Sequence, residues 1–154
     1  MLHAELQRAV SCVTRAVLVR GYGDEQTSDF LAFPGRFVTV AGESRLGLSV
    51  HHTFDVRAKT TGYFYQIRDQ REREVIAFHW HPGRRDQPAF PHLHIDGASG
   101  PVAIVRKNHG PTGRVSLESV VRFLIAELQV RPLRHDWERV LEEGERGFMS
   151  RRSW

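Results

Sequence analysis

The chain has 154 residues, of which 40% are hydrophobic, and a formal net charge of +4. A chain of this length buries about 70% of its unfolded surface in one core, so we expect a single domain. Cys12 is the only cysteine, which excludes a disulfide framework and a four-cysteine zinc site and favours a reducing compartment. No stretch approaches the ~18 apolar residues of a membrane span, and Glu5, Arg8 and Arg15 interrupt any signal-peptide core. We therefore predict a cytoplasmic protein that does not interact with a membrane.

The first third of the chain changes from a helical to a strand-like pattern. Apolar residues at helical spacing predict a first helix over residues 2–19, ended by Gly21 and Gly23. From Phe30 onward, short apolar runs broken by Pro34-Gly35 and Gly42 predict two or three strands with tight turns.

A strand meander is predicted in the middle of the chain. Residues 62–67 and 75–81 flank a polar turn and predict an antiparallel hairpin. Residues 91–95 predict the next strand, and residues 102–105 an edge strand after the turn signal at 97–101. The sheet is therefore expected to span about residues 30–106.

Two helices are predicted at the C-terminal end. Ser116 precedes a clean apolar stripe and predicts an N-capped helix over residues 116–129, stopped by Pro132. Asp136 is expected to cap a last helix over residues 136–149. Residues 1–154 are thus predicted to form a single α+β domain, with an antiparallel sheet packed by N-terminal and C-terminal helices.

Two His-x-His pairs lie on neighbouring predicted strands, and ten residues separate them. Side chains alternate faces along a strand, so the histidines of each pair share one face while the apolar residues beside them point to the core. Ten residues are enough to turn the chain and place the strands antiparallel, with cross-strand neighbours about 5 Å apart. We therefore expect four imidazoles on one surface of the sheet: His79, His81, His92 and His94.

The first chemistry that fits four imidazoles is metal-independent cleavage of RNA. Imidazole titrates near neutral pH, so one ring can accept a proton from an attacking oxygen while another donates one to the leaving group. His92 and His94 are the predicted acid and base, His79 and His81 the supporting pair, and Arg84 or Arg85 the stabiliser of the phosphorane charge. Residues 57–107 hold nine basic and five acidic residues, as suits a polyanionic substrate.

The same atoms allow a metal site. Neutral imidazole binds Zn, Fe, Ni or Mn, and a carboxylate from Asp96 or Asp86 could complete the ligand set of His79, His81, His92 and His94. This alternative predicts a metal-dependent hydrolase. A third alternative is a non-catalytic module that binds nucleic acid or a protein partner through a basic surface.

Other candidate residues are weaker. His51 and His52 are adjacent and must face opposite ways on a strand, so at most one can join the four histidines, and His109 is isolated. Tyr63 and Tyr65 could stack RNA bases, although aromatic residues on strands usually lie in the core.

The order of these motifs resembles that of the TumE-like toxins of bacterial toxin–antitoxin systems. The resemblance covers roughly residues 60–128 and is carried by Phe90, Pro91, His92 and His94, with Tyr63 and Tyr65 as looser matches. It implies a small toxin that acts on RNA and is encoded beside a helix-turn-helix antitoxin. A cytoplasmic ribonuclease of this kind, without a cofactor and forming a homodimer, is the leading hypothesis.

Overall fold

The computed structural model describes residues 2–21, 30–39, 45–86, 88–95 and 110–151, and for residues 21, 30–39 and 45 it describes only the backbone. This part of the chain contains α1 (Leu2–Val10), β1 (Val19–Gly21), β2 (Phe30–Thr39), β3 (Arg45–Phe54), β4 (Thr60–Arg68), β5 (Glu74–Trp80), β6 (His92–Ile95), β7 (Gly110–Pro111), α2 (Leu117–Ala126) and α3 (Trp137–Ser150). The strands form one antiparallel sheet in chain order. The predicted α+β domain with flanking helices is confirmed.

The core lies between the three helices and one face of the sheet. Alternate residues of β3, β4 and β5 are buried there together with the apolar stripes of the helices: Leu48, Val50, Tyr63, Tyr65, Ile67, Phe78, Trp80, Leu6, Val10, Leu117, Val121, Leu124 and Leu141. The hydroxyl of Tyr63 accepts a hydrogen bond of 2.9 Å from the backbone N–H of Val115, just before α2. Both tyrosines are fully buried, so the expectation that they stack bases is wrong and the core alternative is correct.

The first helix is shorter than the predicted range 2–19 and ends at Val10. The side-chain amide of Gln7 donates to the carbonyl of Ala16 and accepts from the N–H of Leu18, which draws the following segment back along the helix. Val13, Thr14 and Val17 are β-branched and disfavour helix, and β1 begins at Val19, the last residue of the predicted helix.

Pro34 and Gly35 do not end a strand, contrary to the prediction. β2 continues through them, and its register with β3 shifts between Phe33 and Arg36. A bulge tolerates a proline because the inserted residue leaves the hydrogen-bond ladder. The hairpin of β4 and β5 is confirmed. The edge strand expected at 102–105 lies outside the described residues.

The two C-terminal helices form close to where they were expected. Ser116 is the N-cap of α2, and its Oγ accepts the N–H of Ser119 at 3.0 Å, as predicted. α2 ends at Ala126, before Pro132, because Gln129 adopts a positive φ of 56° and turns the chain. Asp136 precedes α3 but makes no side-chain capping bond. No helix in the described ranges is both long and apolar enough to cross a membrane.

Candidate metal centre

The register of β5 and β6 brings three histidines together on the sheet face opposite the core. His79 lies directly across from His92, and His94 follows two residues later beside the small residue Ala77. The ring centroids are 4.5 Å apart for His79 and His94, 5.2 Å for His92 and His94, and 5.4 Å for His79 and His92. One nitrogen from each ring lies within 4.8 Å of the others. We call these three residues the histidine cluster.

A carbonyl orients one ring of the histidine cluster, and a carboxylate lies near another. The Nδ1–H of His92 donates to the carbonyl of Phe90 at 2.9 Å, so Nε2 carries the lone pair when that ring is neutral. The carboxylate Oε1 of Glu74 lies 4.0 Å from Nδ1 of His94, and its Oε2 accepts a hydrogen bond of 2.6 Å from Gln66. A carbonyl that accepts a ring N–H fixes the tautomer and direction of a metal-ligating histidine, whereas the 4.0 Å contact between Glu74 and His94 is too long for a hydrogen bond.

An open cleft of about 450 Å³ adjoins the histidine cluster. It is lined by His51, Phe64, His79, His81 and Arg84. The ring of His81 is 5.9 Å from that of His79 between centroids, and Phe64 packs edge-on against His79 at 4.4 Å. The fourth predicted histidine therefore lies at the wall of the cleft and outside the closest group of three.

A tight turn places Arg84 at this cleft. The N–H of Arg84 donates to the carbonyl of His81 at 3.3 Å, Pro82 occupies the second position, and Gly83 has a φ of 93°. This is the pattern of a type II turn, in which the third position requires positive φ and favours glycine. The turn reverses the chain so that Arg84 returns beside His81.

Burial keeps His51 and His81, which line the cleft, neutral near pH 7. It is the main reason why the pKa of His81 lies below its usual value, and the positive Arg84 guanidinium lowers it further. Burial also lowers the pKa of His51. Neutral rings have one lone pair each, so they can accept a proton or bind a metal.

The structure separates the predicted site residues into groups. His79, His92 and His94 converge, while His81 and Arg84 line the neighbouring cleft. Arg85 and Asp86 are exposed on the following loop, and Asp86 lies 3.7 Å from the Nε of Arg84. Asp96, predicted as a carboxylate ligand, and His109 lie outside the described residues.

The two adjacent histidines face opposite ways, as expected. His51 lines the cleft, whereas His52 is fully buried on the core side, where its ring nitrogens bond to the hydroxyls of Tyr65 at 2.6 Å and Thr60 at 3.1 Å. Burial lowers the pKa of His52 to about 3. It is therefore a structural histidine.

Sequence reasoning missed Glu74 and Phe64. Glu74 begins β5 and pairs with Arg68, and Phe64 faces His79 across β4 and β5. The predicted strand 62–67 includes Phe64, and its alternation gives the face of that residue, whereas Glu74 precedes the predicted strand 75–81. Strand register was needed to place both residues beside particular histidines.

Comparison with known proteins adds no relative: no family model, curated protein or solved structure matches this chain. The resemblance to TumE-like toxins therefore stays a prediction, as does the antitoxin partner that it implies. The homodimer, a separate expectation, also stays a prediction.

Proposed function

We propose that the chain binds one transition-metal ion, zinc being the expected one, through His79, His92 and His94, and uses it as a metal-dependent hydrolase. The observation that carries this proposal is the convergence of three imidazole nitrogens within 4.8 Å on two adjacent strands. Zinc–nitrogen bonds are about 2.1 Å long, so ligand nitrogens of a tetrahedral site are about 3.4 Å apart. Binding an ion would therefore require the three nitrogens to approach one another by at most about 1.4 Å.

The surroundings of the three rings favour a ligand role. Nδ1 of His92 is held by the carbonyl of Phe90, which leaves Nε2 for a metal. A hydrogen bond of this type raises the basicity of a ligating imidazole. The Glu74 carboxylate lies 4.0 Å from Nδ1 of His94 and adds negative charge near the three rings. General acid–base catalysis on RNA instead needs two imidazoles on opposite sides of one phosphate. Rings whose centroids are only 4.5–5.4 Å apart fit that requirement less well.

Three histidine ligands leave one coordination position open. Zinc sites with three protein ligands are typically catalytic, because water or substrate takes the fourth position and the ion acts as a Lewis acid. The cleft beside His79 gives a substrate access to this side of the cluster. Both features support hydrolysis over a purely structural zinc site.

The test is metal analysis of the purified, untagged protein after loading with zinc or cobalt. We expect about one equivalent of metal per chain, and none above background in the His92→Ala/His94→Ala variant. His135→Ala is the matched control, because His135 is exposed between α2 and α3 and its loss leaves the cluster intact. A wild-type protein that holds no stoichiometric metal after loading rules the proposal out.

Metal-independent RNA cleavage is the second candidate function, and the placement of Arg84 beside His81 in the same cleft favours it. Here His92 and His94 would be the acid and base, as the sequence predicts, with Arg84 stabilising the phosphorane charge. Cleavage of RNA that persists in excess chelator and disappears in the His92→Ala/His94→Ala variant would support this candidate. Chelator sensitivity would instead support the hydrolase.

A further inference from the structure

We propose that the cleft beside the histidine cluster is a phosphoryl-binding subsite in which Arg84 is the principal anion ligand, so that the substrate of the proposed hydrolase is a phosphate ester. This inference rests on the metal site as the place where the bound ester reacts. The binding step itself can be measured without metal.

The cleft combines donors from two parts of the chain. His51 comes from β3, and His81 and Arg84 come from the turn that follows β5. A guanidinium and two imidazoles around one space match the several oxygens of a tetrahedral oxyanion. With about 450 Å³, the cleft also has room for part of the group esterified to the phosphate, and Phe64 supplies an apolar wall for it.

The backbone around the cleft is built to hold Arg84 and His81 in these places. The turn from His81 to Arg84 depends on Gly83, whose φ of 93° is strained for any residue with a side chain. A Cβ atom at position 62 would lie 2.9 Å from the carbonyl oxygen of Trp80 and 3.9 Å from Nδ1 of His81. Gly62 has no side chain and avoids these contacts. The end of β5 therefore approaches β4 closely enough to position His81 against the cleft.

Arg84 can exchange its present partner for an anion. Its Nε lies 3.7 Å from Asp86, and both side chains are more than half exposed. An ion pair at this exposure contributes little, whereas a guanidinium bound to phosphate gains charge-assisted, often bidentate hydrogen bonds. A phosphoryl group in the cleft would therefore displace Asp86.

The cleft also adjoins the proposed metal. His79 belongs to both the cleft and the histidine cluster, so an anion held by Arg84 and His81 would lie beside one of the residues that would hold the metal. His79 is thus shared by the residues that would bind the substrate and those that would hold the ion.

The experiment is calorimetric titration of the metal-free protein with inorganic phosphate, with acetate as the carboxylate probe. We expect phosphate to bind, acetate to bind much more weakly, and Arg84→Gln to weaken phosphate binding about tenfold or more. Arg85→Gln is the control, because it removes the same charge one residue away and outside the cleft lining. Gly83→Val, which strains the turn but keeps Arg84, should also weaken phosphate binding.

Equal losses in Arg84→Gln and Arg85→Gln would overturn the proposal, since they would show a diffuse effect of charge. Acetate binding as tight as phosphate would overturn the phosphoryl specificity. Cobalt titration of the same variants distinguishes this failure from that of the metal site. If the protein binds cobalt but its phosphate binding does not depend on Arg84, only the subsite is rejected. If phosphate binding depends on Arg84 but the protein binds no cobalt, only the metal-dependent function is rejected.

Discussion

Among the described residues, the surroundings of buried titratable side chains separate structural groups from candidate functional ones. His52 is enclosed by the core, and both of its ring nitrogens are hydrogen-bonded to hydroxyls. Its role is therefore structural. Burial likewise raises the pKa of the Cys12 thiol to about 11, which makes this cysteine unreactive at neutral pH. The histidine cluster differs because its nitrogens converge on one another across two strands.

Glu118 makes folding stability depend on pH. It is buried in α2, and burial raises the pKa of its carboxyl from 4.5 to about 7, helped by the nearby Glu145 and Glu5 and opposed by Arg151. The folded protein therefore keeps a proton that the unfolded chain loses, so the free energy of unfolding falls as pH rises from about 4.5 to about 7. A shift of this size corresponds to at most about 3 kcal/mol.

Glu118→Gln should remove this dependence. We expect the variant to be more stable than wild type at pH 8 and similar to it at pH 4.5, as measured by urea unfolding at both pH values. Glu142→Gln, on the exposed side of α3, is the control and should leave the pH dependence unchanged. The same difference between Glu118→Gln and wild type at both pH values would contradict the prediction.

At the scale of elements, short local signals decide where helices and strands begin and end. Gln7 takes the backbone partners that a longer α1 would have needed, and the register shift in β2 accommodates Pro34. The Pro82-Gly83 turn ends the hairpin so that Arg84 returns to His81. In each case a local hydrogen-bonding pattern sets the path of the chain over the residues that follow.

Ser116 is the clearest of these signals and can be tested. Its buried hydroxyl accepts the N–H of Ser119 and satisfies one of the otherwise free donors at the start of α2. Ser116→Ala should lower the free energy of unfolding by about 1 kcal/mol. Ser150→Ala, at the exposed end of α3, should cost much less in the same urea titration. Equal losses would show that the cap is not what stabilises α2.

Across the part of the chain that the structure describes, the sheet separates a core face from a histidine face. The helices cover the face with Tyr63 and Tyr65, and the opposite face carries the histidine cluster and the cleft. Successive residues of one strand therefore serve different purposes, as His51 and His52 do. Substitutions on the core face should change stability and leave metal binding unaltered.

Tyr65→Phe tests this division. The change leaves Nδ1 of the buried His52 without its 2.6 Å hydroxyl partner, which should lower the free energy of unfolding by about 1–3 kcal/mol. Cobalt affinity at the histidine cluster should stay the same. Loss of cobalt binding in a folded Tyr65→Phe protein would show that the two faces are coupled. Tyr63→Phe changes the other member of the same stacked pair, and it should likewise leave cobalt affinity unaltered.

The amino-acid sequence by itself determined the fold class, the three helical segments, the β4–β5 hairpin and the sharing of one face by the two His-x-His pairs. These follow from local periodicity, because alternation at 2 and 3.6 residues depends only on nearby positions. Only the tertiary structure decided that His79 lies across from His92, that His81 belongs to the cleft, and that Glu74 and Phe64 join the site. Such placements depend on strand register, which is set by contacts between residues far apart in the sequence.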